Sequence, residues 1–371
     1  MQDETVIPAL ALFAIPGTLK GVHSFKVGHI NETFISTWND KGHIVRYLHQ
    51  KVNSFVFKNV PAVMGNIERV ITHLKSRTGN EAQKTLTIVP TKDGRSFGQD
   101  VDGGYWRTYE FLENTISFEV CTDKRQAYEA AKVLGKFLAA LSDCKVSDYH
   151  ETIKGFQNVP GRFLDLDQAI KNDSEGRVRE VGSEIEFALI RAERASIVET
   201  LLKNGSIPLR ITHSDPKFNN VLFESLSGGQ FGPGVAVVDL DTVMPGTMIY
   251  DFGDLARSVV VAAREDETDL SKVTMNESLY EELVRGYLGS ASAMLKREEV
   301  NLMSYAPRLI ALSLGVRFLT DYLNGDKYFK IHRLMHNLER SRTQFKIVLE
   351  MERAEDRMRT IVDRIYKSSM A

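Results

Sequence analysis

Cysteine is scarce: 371 residues contain Cys121 and Cys144 and no others. Their spacing matches neither a disulfide framework, a zinc site nor a redox pair, so a reducing compartment is expected. Charge of one sign is missing too. With 47 Lys and Arg against 49 Asp and Glu, the chain has no general electrostatic attraction for nucleic acid or an anionic membrane. Long apolar runs are absent. The stretch 6–15 is cut by Pro8 and falls short of the ~20 residues that span a bilayer. Asp3 and Glu4 stand where a targeting sequence would be basic, so a cytoplasmic protein with a packed first helix or arm is expected. There is no internal repeat, low-complexity tract or block of like charge. No G-x-x-x-x-G-K-[ST] occurs, which excludes P-loop phosphate binding, and the glycines at 228–234 run into a strand rather than a dinucleotide-binding helix. His332 and His336 share a helical face but have no third ligand in view, so they read as a surface pair.

What is present is ordinary globular composition, 43% hydrophobic and 26% charged, organised around residues 209–242. His213-Ser214-Asp215-Pro216-Lys217-Phe218-Asn219-Asn220 carries H-x-D-x-x-x-x-N. An apolar strand, Val221-Leu222-Phe223, follows directly. Beyond a glycine-rich turn at 225–234, a second apolar strand, Val235-Ala236-Val237-Val238, closes on Asp239. Phosphoryl transfer to a hydroxyl needs a carboxylate that orients the acceptor and takes its proton, and oxygen ligands that hold Mg²⁺ against the phosphates. The spacing nominates Asp215 as that base, with Asn220 and Asp239 as ligands of the hard cation. His213 reads as a structural support of the loop. A chance match in a polar turn is the plain alternative for the motif alone. Flanking strands and a terminal Asp at hairpin distance argue against chance.

Just downstream, Tyr250-Asp251-Phe252-Gly253-Asp254 spells D-F-G. Met244-Pro245-Gly246 interrupts the chain before it and a helix follows, so Asp251 reads as a helix N-cap and Asp254 as a brace for the catalytic loop.

Up to about residue 110 the signals are strands and turns. Runs at 21–27, 32–38 and 43–50 alternate or are β-branched. Between the first two, Gly28-His29-Ile30-Asn31 suits either a turn lying over phosphates or an ordinary hairpin. An amphipathic helix is expected over 61–76, with Glu68 off its apolar face, where in a kinase lobe it could pair with a lysine on the third strand. Lys51, at the end of the third strand, is a candidate phosphate-side lysine or a solvated strand end. Turns at Asp93-Gly94 and Asp102-Gly103-Gly104 mark two hairpins. The strand 105–109 then runs into Glu110-Phe111-Leu112, a hinge whose backbone could meet an adenine edge. Beyond residue 114, helices are expected over 123–141, 182–202, 277–295, 297–323 with Pro307 as a break, and 341–367. These signals describe an α+β, protein-kinase-like bilobal fold: a small antiparallel β lobe for the nucleotide over 1–110, and a mainly helical lobe with the catalytic loop and acceptor site over 111–371.

Several further strings stand out: Ser206-Ile207-Pro208-Leu209-Arg210, the run from Asp239 to Gly246, and the segment from Arg317-Phe318-Leu319 to Tyr328-Phe329. With these and the catalytic motifs, most of the chain resembles the aminoglycoside phosphotransferase/choline kinase superfamily, and within it the N-acetylhexosamine 1-kinases. The resemblance implies phosphorylation of the anomeric hydroxyl of N-acetylglucosamine or N-acetylgalactosamine by ATP and Mg²⁺. It implies Asp215 as base, Asn220 and Asp239 on the metal, and sugar contacts from His29, Asp215, Asp239, Thr242, Arg317 and Tyr328. On the nucleotide side the candidates, from the turn, strand-end and hinge readings above, are Gly28, Asn31, Lys51, Glu110 and Leu112. These residue types suit a sugar, although Arg317 could instead form an ion pair in the helical lobe and Tyr328 edge the core. The V-A-I-K lysine and multi-glycine loop of protein kinases are missing. Rival readings are a relative acting on an amino alcohol, homoserine-type compound or aminoglycoside, and an inert nucleotide-binding scaffold. The expected partners are the sugar and ATP, with no nucleic acid or membrane, in a monomer or weak homodimer.

Overall fold

Strand-forming residues in the first part of the chain produce β1 (Thr18–Ser24), β2 (Glu32–Asp40), β3 (His43–Lys51), β4 (Gly98–Gln99) and β5 (Tyr105–Glu110). In the computed structural model, which describes residues 6–25, 30–78 and 84–369, they pair antiparallel in the order β1-β2-β3-β5-β4. The β2–β3 turn puts Lys41 and Gly42 at φ of 51° and 93°. The Asn39 side chain holds it by accepting the Gly42 N–H at 2.8 Å, as turn-forming Asn does. A short helix, α1 (Ile7–Leu10), packs with Phe13 into a small core with Val22, Phe34, Tyr47 and Trp106. Helix α2 (Val60–Thr78) sets Val63, Met64, Ile67, Val70, Ile71 and Leu74 into a second, much larger core. Its Asn66 is fully buried: Nδ2 donates to the carbonyls of His150 and Val243, both at 2.8 Å, and Oδ1 accepts the His150 N–H at 3.0 Å.

Past the hinge, β6 (Thr115–Ile116) leads to α3 (Lys124–Ala140), α4 (Val159–Asn172), α5 (Gly182–Leu189) and α6 (Ile197–Lys203). The catalytic segment supplies β7 (Arg210–Thr212), β8 (Val221–Ser225), β9 (Phe231–Val237) and β10 (Met244–Gly246). These make a three-stranded sheet β6-β8-β9 and a β7–β10 pair inside the helical body. The chain ends with α7 (Met248–Val259), α8 (Glu277–Ala291), α9 (Arg297–Leu302), α10 (Ala306–Leu323) and α11 (His336–Ser369).

Two local expectations differ from the fold, while the break expected at Pro307 is present: α9 ends at Leu302 and Pro307 sits in the first turn of α10, where its missing N–H costs nothing. The stretch 182–202 is two helices, separated by a 3-10 turn at Glu193–Ser196. Gly232-Pro233-Gly234, expected as turn, belongs to β9. Among the described strands β9 pairs with β8 alone, and an outer strand tolerates proline. Close helix packing needs glycine at Gly253, where a Cβ would lie 2.7 Å from the Ala306 carbonyl oxygen of α10.

Candidate active site

Strand β7 delivers the loop carrying Asp215 into the interior, where buried hydrogen bonds hold its backbone. Ser214 adopts φ of 69°, a left-handed conformation unusual for a residue with a side chain. The N–H groups of His213 and Ser214 donate to the two oxygens of Asp251, at 2.7 and 2.8 Å. Asp251 is wholly buried on α7. Burial pushes its carboxyl up against the pull of those two donors. Because each oxygen already faces an N–H, the ionised form is the one that fits.

His213 is likewise buried, and burial pushes its imidazole down to about 4. The neutral ring donates from Nε2 to the Val238 carbonyl at 2.9 Å and turns Nδ1 toward the Asp215 N–H at 3.4 Å. This tautomer leaves the ring supporting the loop, not accepting a substrate proton. Thr242 donates its hydroxyl to the His213 carbonyl at 2.8 Å, so only its lone pairs could meet a ligand.

Asp215 is half-buried and lies 3.1 Å from the Lys217 ammonium, whose pKa it raises. Asn220 donates Nδ2 to the Asp215 carbonyl at 2.9 Å. Its remaining acceptor is therefore Oδ1. Asp239 ends the second strand at φ of 67° and keeps an exposed side toward solvent. The protein packed around it, with the charges of Asp241 and Asp215, pushes its carboxyl up to about 7, opposed by Lys217 and Arg107. Asp215 and Asp239 thus feel one another, and the excess negative charge beside the hard oxygen of Asn220 is what a divalent cation would relieve.

A cation that the sequence reading missed crosses from the sheet. Arg107 of β5, 1% exposed, pairs with Asp241 and donates to Gln50 Oε1 from Nε (3.0 Å) and Nη2 (2.7 Å). Burial alone would lower its pKa, but the Asp241 carboxylate overrides it and the net shift is upward. Asn31 completes the joint, donating Nδ2 to Asp241 Oδ2 at 2.7 Å.

On the other side, the segment before α4 runs beside β10. A Cβ on Gly246 would fall 2.7 Å from Gln157 Oε1, and the neighbouring Phe156 ring faces Arg317 of α10, its guanidinium carbon 5.7 Å away. Tyr328 and Phe329 flank the same guanidinium at 5.8 and 5.2 Å. No carboxylate among the described residues forms an ion pair with Arg317, and its charge lowers the pKa of the desolvated Arg162 nearby.

The sequence profile of the phosphotransferase enzyme family matches residues 28–298, most of the chain. The chain belongs to this family. Solved structures share the fold of this phosphotransferase at low identity. A choline kinase from Cryptosporidium parvum is 13% identical with a TM-score of 0.61, over 98% of this chain and 99% of that one. A microcompartment-associated aminopropanol kinase is 13% identical with a TM-score of 0.57, over 96% and 98%. A spectinomycin phosphotransferase in complex with ADP and spectinomycin is 12% identical with a TM-score of 0.53, over 95% and 99%. The architecture is therefore the α+β, kinase-like one, a small antiparallel sheet against a mainly helical body.

Of the residues singled out in the sequence of this phosphotransferase, Asp215, Asn220, Asp239 and Thr242 come together, with Asn31 reaching them through Asp241. Arg317 and Tyr328 meet one another beside β10. Gly28 and His29 lie outside the described residues. Lys51 turns to Asp100 at 3.7 Å, and Glu68 is exposed, so the two do not pair. At the hinge, the Glu110 N–H is held by the Thr87 carbonyl (2.9 Å) and the Phe111 N–H by Arg46 (3.0 Å). A purine could reach Glu110 only through its carbonyl. The brace of the catalytic loop is a correction: Asp251 provides it, while Thr247 caps α7 and Asp254 is bound to Arg257. Among the described residues no helix is long and apolar enough to cross a membrane.

Proposed function

We propose that this phosphotransferase moves the γ-phosphoryl group of ATP to the anomeric hydroxyl of an N-acetylhexosamine, N-acetylglucosamine or N-acetylgalactosamine, giving the sugar 1-phosphate and ADP. The observation that supports the reading is the held position of Asp215: Asp251 and His213 bind the backbone beside it, Asn220 donates to its carbonyl, and its charge reaches Asp239. As the sugar oxygen bonds to the γ-phosphorus, the bond to the ADP oxygen breaks and the hydroxyl proton passes to the Asp215 carboxylate. An anomeric hydroxyl is more acidic than a plain alcohol, so a carboxylate is basic enough. Lys217, 3.1 Å from the Asp215 carboxylate, is near enough to meet phosphate oxygens. Asn220 Oδ1 and the Asp239 carboxylate would hold Mg²⁺, which when bound draws charge from the phosphate oxygens. Arg317, framed by Phe156, Tyr328 and Phe329, suits a sugar ring and its amide carbonyl.

An amino alcohol or aminoglycoside is the second acceptor class, and the neighbouring folds include kinases named for such compounds. Against it, a cationic acceptor would meet Arg317 with Arg162 close by and no carboxylate on that guanidinium. The test is a coupled ADP-release assay over hexoses, N-acetylhexosamines and amino alcohols, with NMR locating the new ester. Phosphate on O6 or on an amino alcohol overturns the sugar 1-kinase reading. Asp215→Ala should lower turnover by roughly 10²–10⁴-fold with ATP binding retained; full activity removes Asp215 from the chemistry.

A further inference from the structure

Asp321 stands one helical turn after Arg317 on α10, the spacing at which the two would ordinarily pair. They do not, because four other donors fill the Asp321 carboxylate. Oδ1 accepts the N–H groups of Lys327 (3.0 Å) and Tyr328 (2.8 Å). Oδ2 accepts the Phe329 N–H and Asn337 Nδ2, both at 2.9 Å. A carboxylate offers about four lone-pair sites, so its capacity is reached. Asp321 is 6% exposed and Asn337 fully buried. The turn leading into the loop is tied down as well: Asp326, at φ of 58°, accepts from Asn337 Nδ2 (2.8 Å) and pairs with Arg177 (2.7 Å). The chain from Gly325 to Phe329 is thus wrapped around one side chain, although Tyr328 itself is 53% exposed.

We infer that Asp321 is a positioning residue of the acceptor pocket. It holds Tyr328 and Phe329 beside Arg317 and, being saturated, leaves the Arg317 guanidinium unpaired for oxygen atoms of the acceptor. This rests on the proposed function for the identity of the acceptor, not for the geometry of the loop. Exchange to Asn keeps the shape but replaces one accepting oxygen by an NH₂ group that faces N–H donors, so the loop loses its register and Arg317 its aromatic frame.

Asp321→Asn is tested with ATP and N-acetylglucosamine or N-acetylgalactosamine, and by amide hydrogen exchange at residues 327–329. The acceptor KM should rise about tenfold or more, since small misplacements in a binding shell carry costs of that order. The KM for ATP should move less than about threefold, a split that general destabilisation would not give. The three amides should exchange about a hundredfold faster, the loss expected for a charge-assisted bond. An unchanged acceptor KM, or an equal rise in both KM values, overturns the positioning role. If the wild-type enzyme phosphorylates neither sugar, the sugar reading fails on its own, and the exchange measurement then decides: amides as protected as in the wild type overturn the brace, faster exchange supports it.

Discussion

Replacing Asp251 by Asn changes one atom in a residue that touches no substrate, and it should nevertheless be among the most damaging substitutions in the protein. Asp251 binds the N–H groups of His213 and Ser214 at 2.7 and 2.8 Å in a fully buried setting. Each bond to an ionised acceptor contributes about 1.5–3 kcal/mol. Asn keeps one acceptor, now uncharged, and its NH₂ confronts the other backbone donor. Weakening one bond by about 1 kcal/mol and stranding the second donor at about 1–3 kcal/mol, with the repulsion between donors added, gives a total near 3–5 kcal/mol. The αL conformation of Ser214, itself costing about 1 kcal/mol or more, then loses the Asp251 acceptor that its N–H meets. Expressed as displacement of Asp215, this is a fall in kcat of roughly 10²–10³-fold, at 1.4 kcal/mol per decade. ADP release in steady state reads kcat and KM, and a circular-dichroism melt of the same preparation should show a midpoint several degrees lower. A variant with kcat within twofold of wild type and an unmoved melt would refute the claim that α7 braces the loop.

Two further outcomes follow from buried charges. Arg107→Met should destabilise the protein by about 3–5 kcal/mol in urea, the cost of leaving a buried Asp241 unpaired, and Arg107→Met with Asp241→Leu should recover part of it; a loss below about 1 kcal/mol would mean the pair joins nothing. Burial holds His49 near 3 and His213 near 4, both below the ordinary imidazole value of about 6.5. The unfolded chain therefore takes up protons first as pH falls through 6.5. Each histidine contributes stability that is complete above that pH and declines by about 1.4 kcal/mol per unit down to its folded value. Asp239, raised to about 7, works in the opposite direction, so the check is comparative: His49→Gln, which can still bond Ser36 and Thr108, should flatten the dependence of urea midpoint on pH between 7 and 5, and an unchanged slope would refute it.

The candidate site could be nominated from sequence because its spacing is local. H-x-D-x-x-x-x-N fixes Asp215 and Asn220 within one tight loop, and a hairpin brings Asp239 back to it whatever the rest of the chain does. The long strands and most helices were legible for the same reason, since their periodicity is read within a dozen residues. Partnerships across the fold were not. Asp251 reads as a helix cap because nothing local reveals that α7 points its first turn at residues 213 and 214. Arg107 was not legible because the kinase pattern places a lysine on the third strand, whereas the buried cation here comes from β5. Its one local signal is an arginine between two aromatic residues, Trp106 and Tyr109, in a strand whose four residues from Trp106 to Tyr109 are all buried. Asp321 gave no sign at all, since three of its donors are backbone groups six to eight residues downstream and the fourth is the side chain of Asn337.

Asn66 has a bearing on control. Outward travel of the equivalent helix is how many protein kinases are silenced, but here such travel would strip three hydrogen bonds from a side chain with no water to replace them. At about 1–3 kcal/mol apiece, that rivals the stability of a whole domain. An enzyme anchored in this way would stand permanently ready, its flux set by how much acceptor and nucleotide arrive and not by a signal that shifts α2.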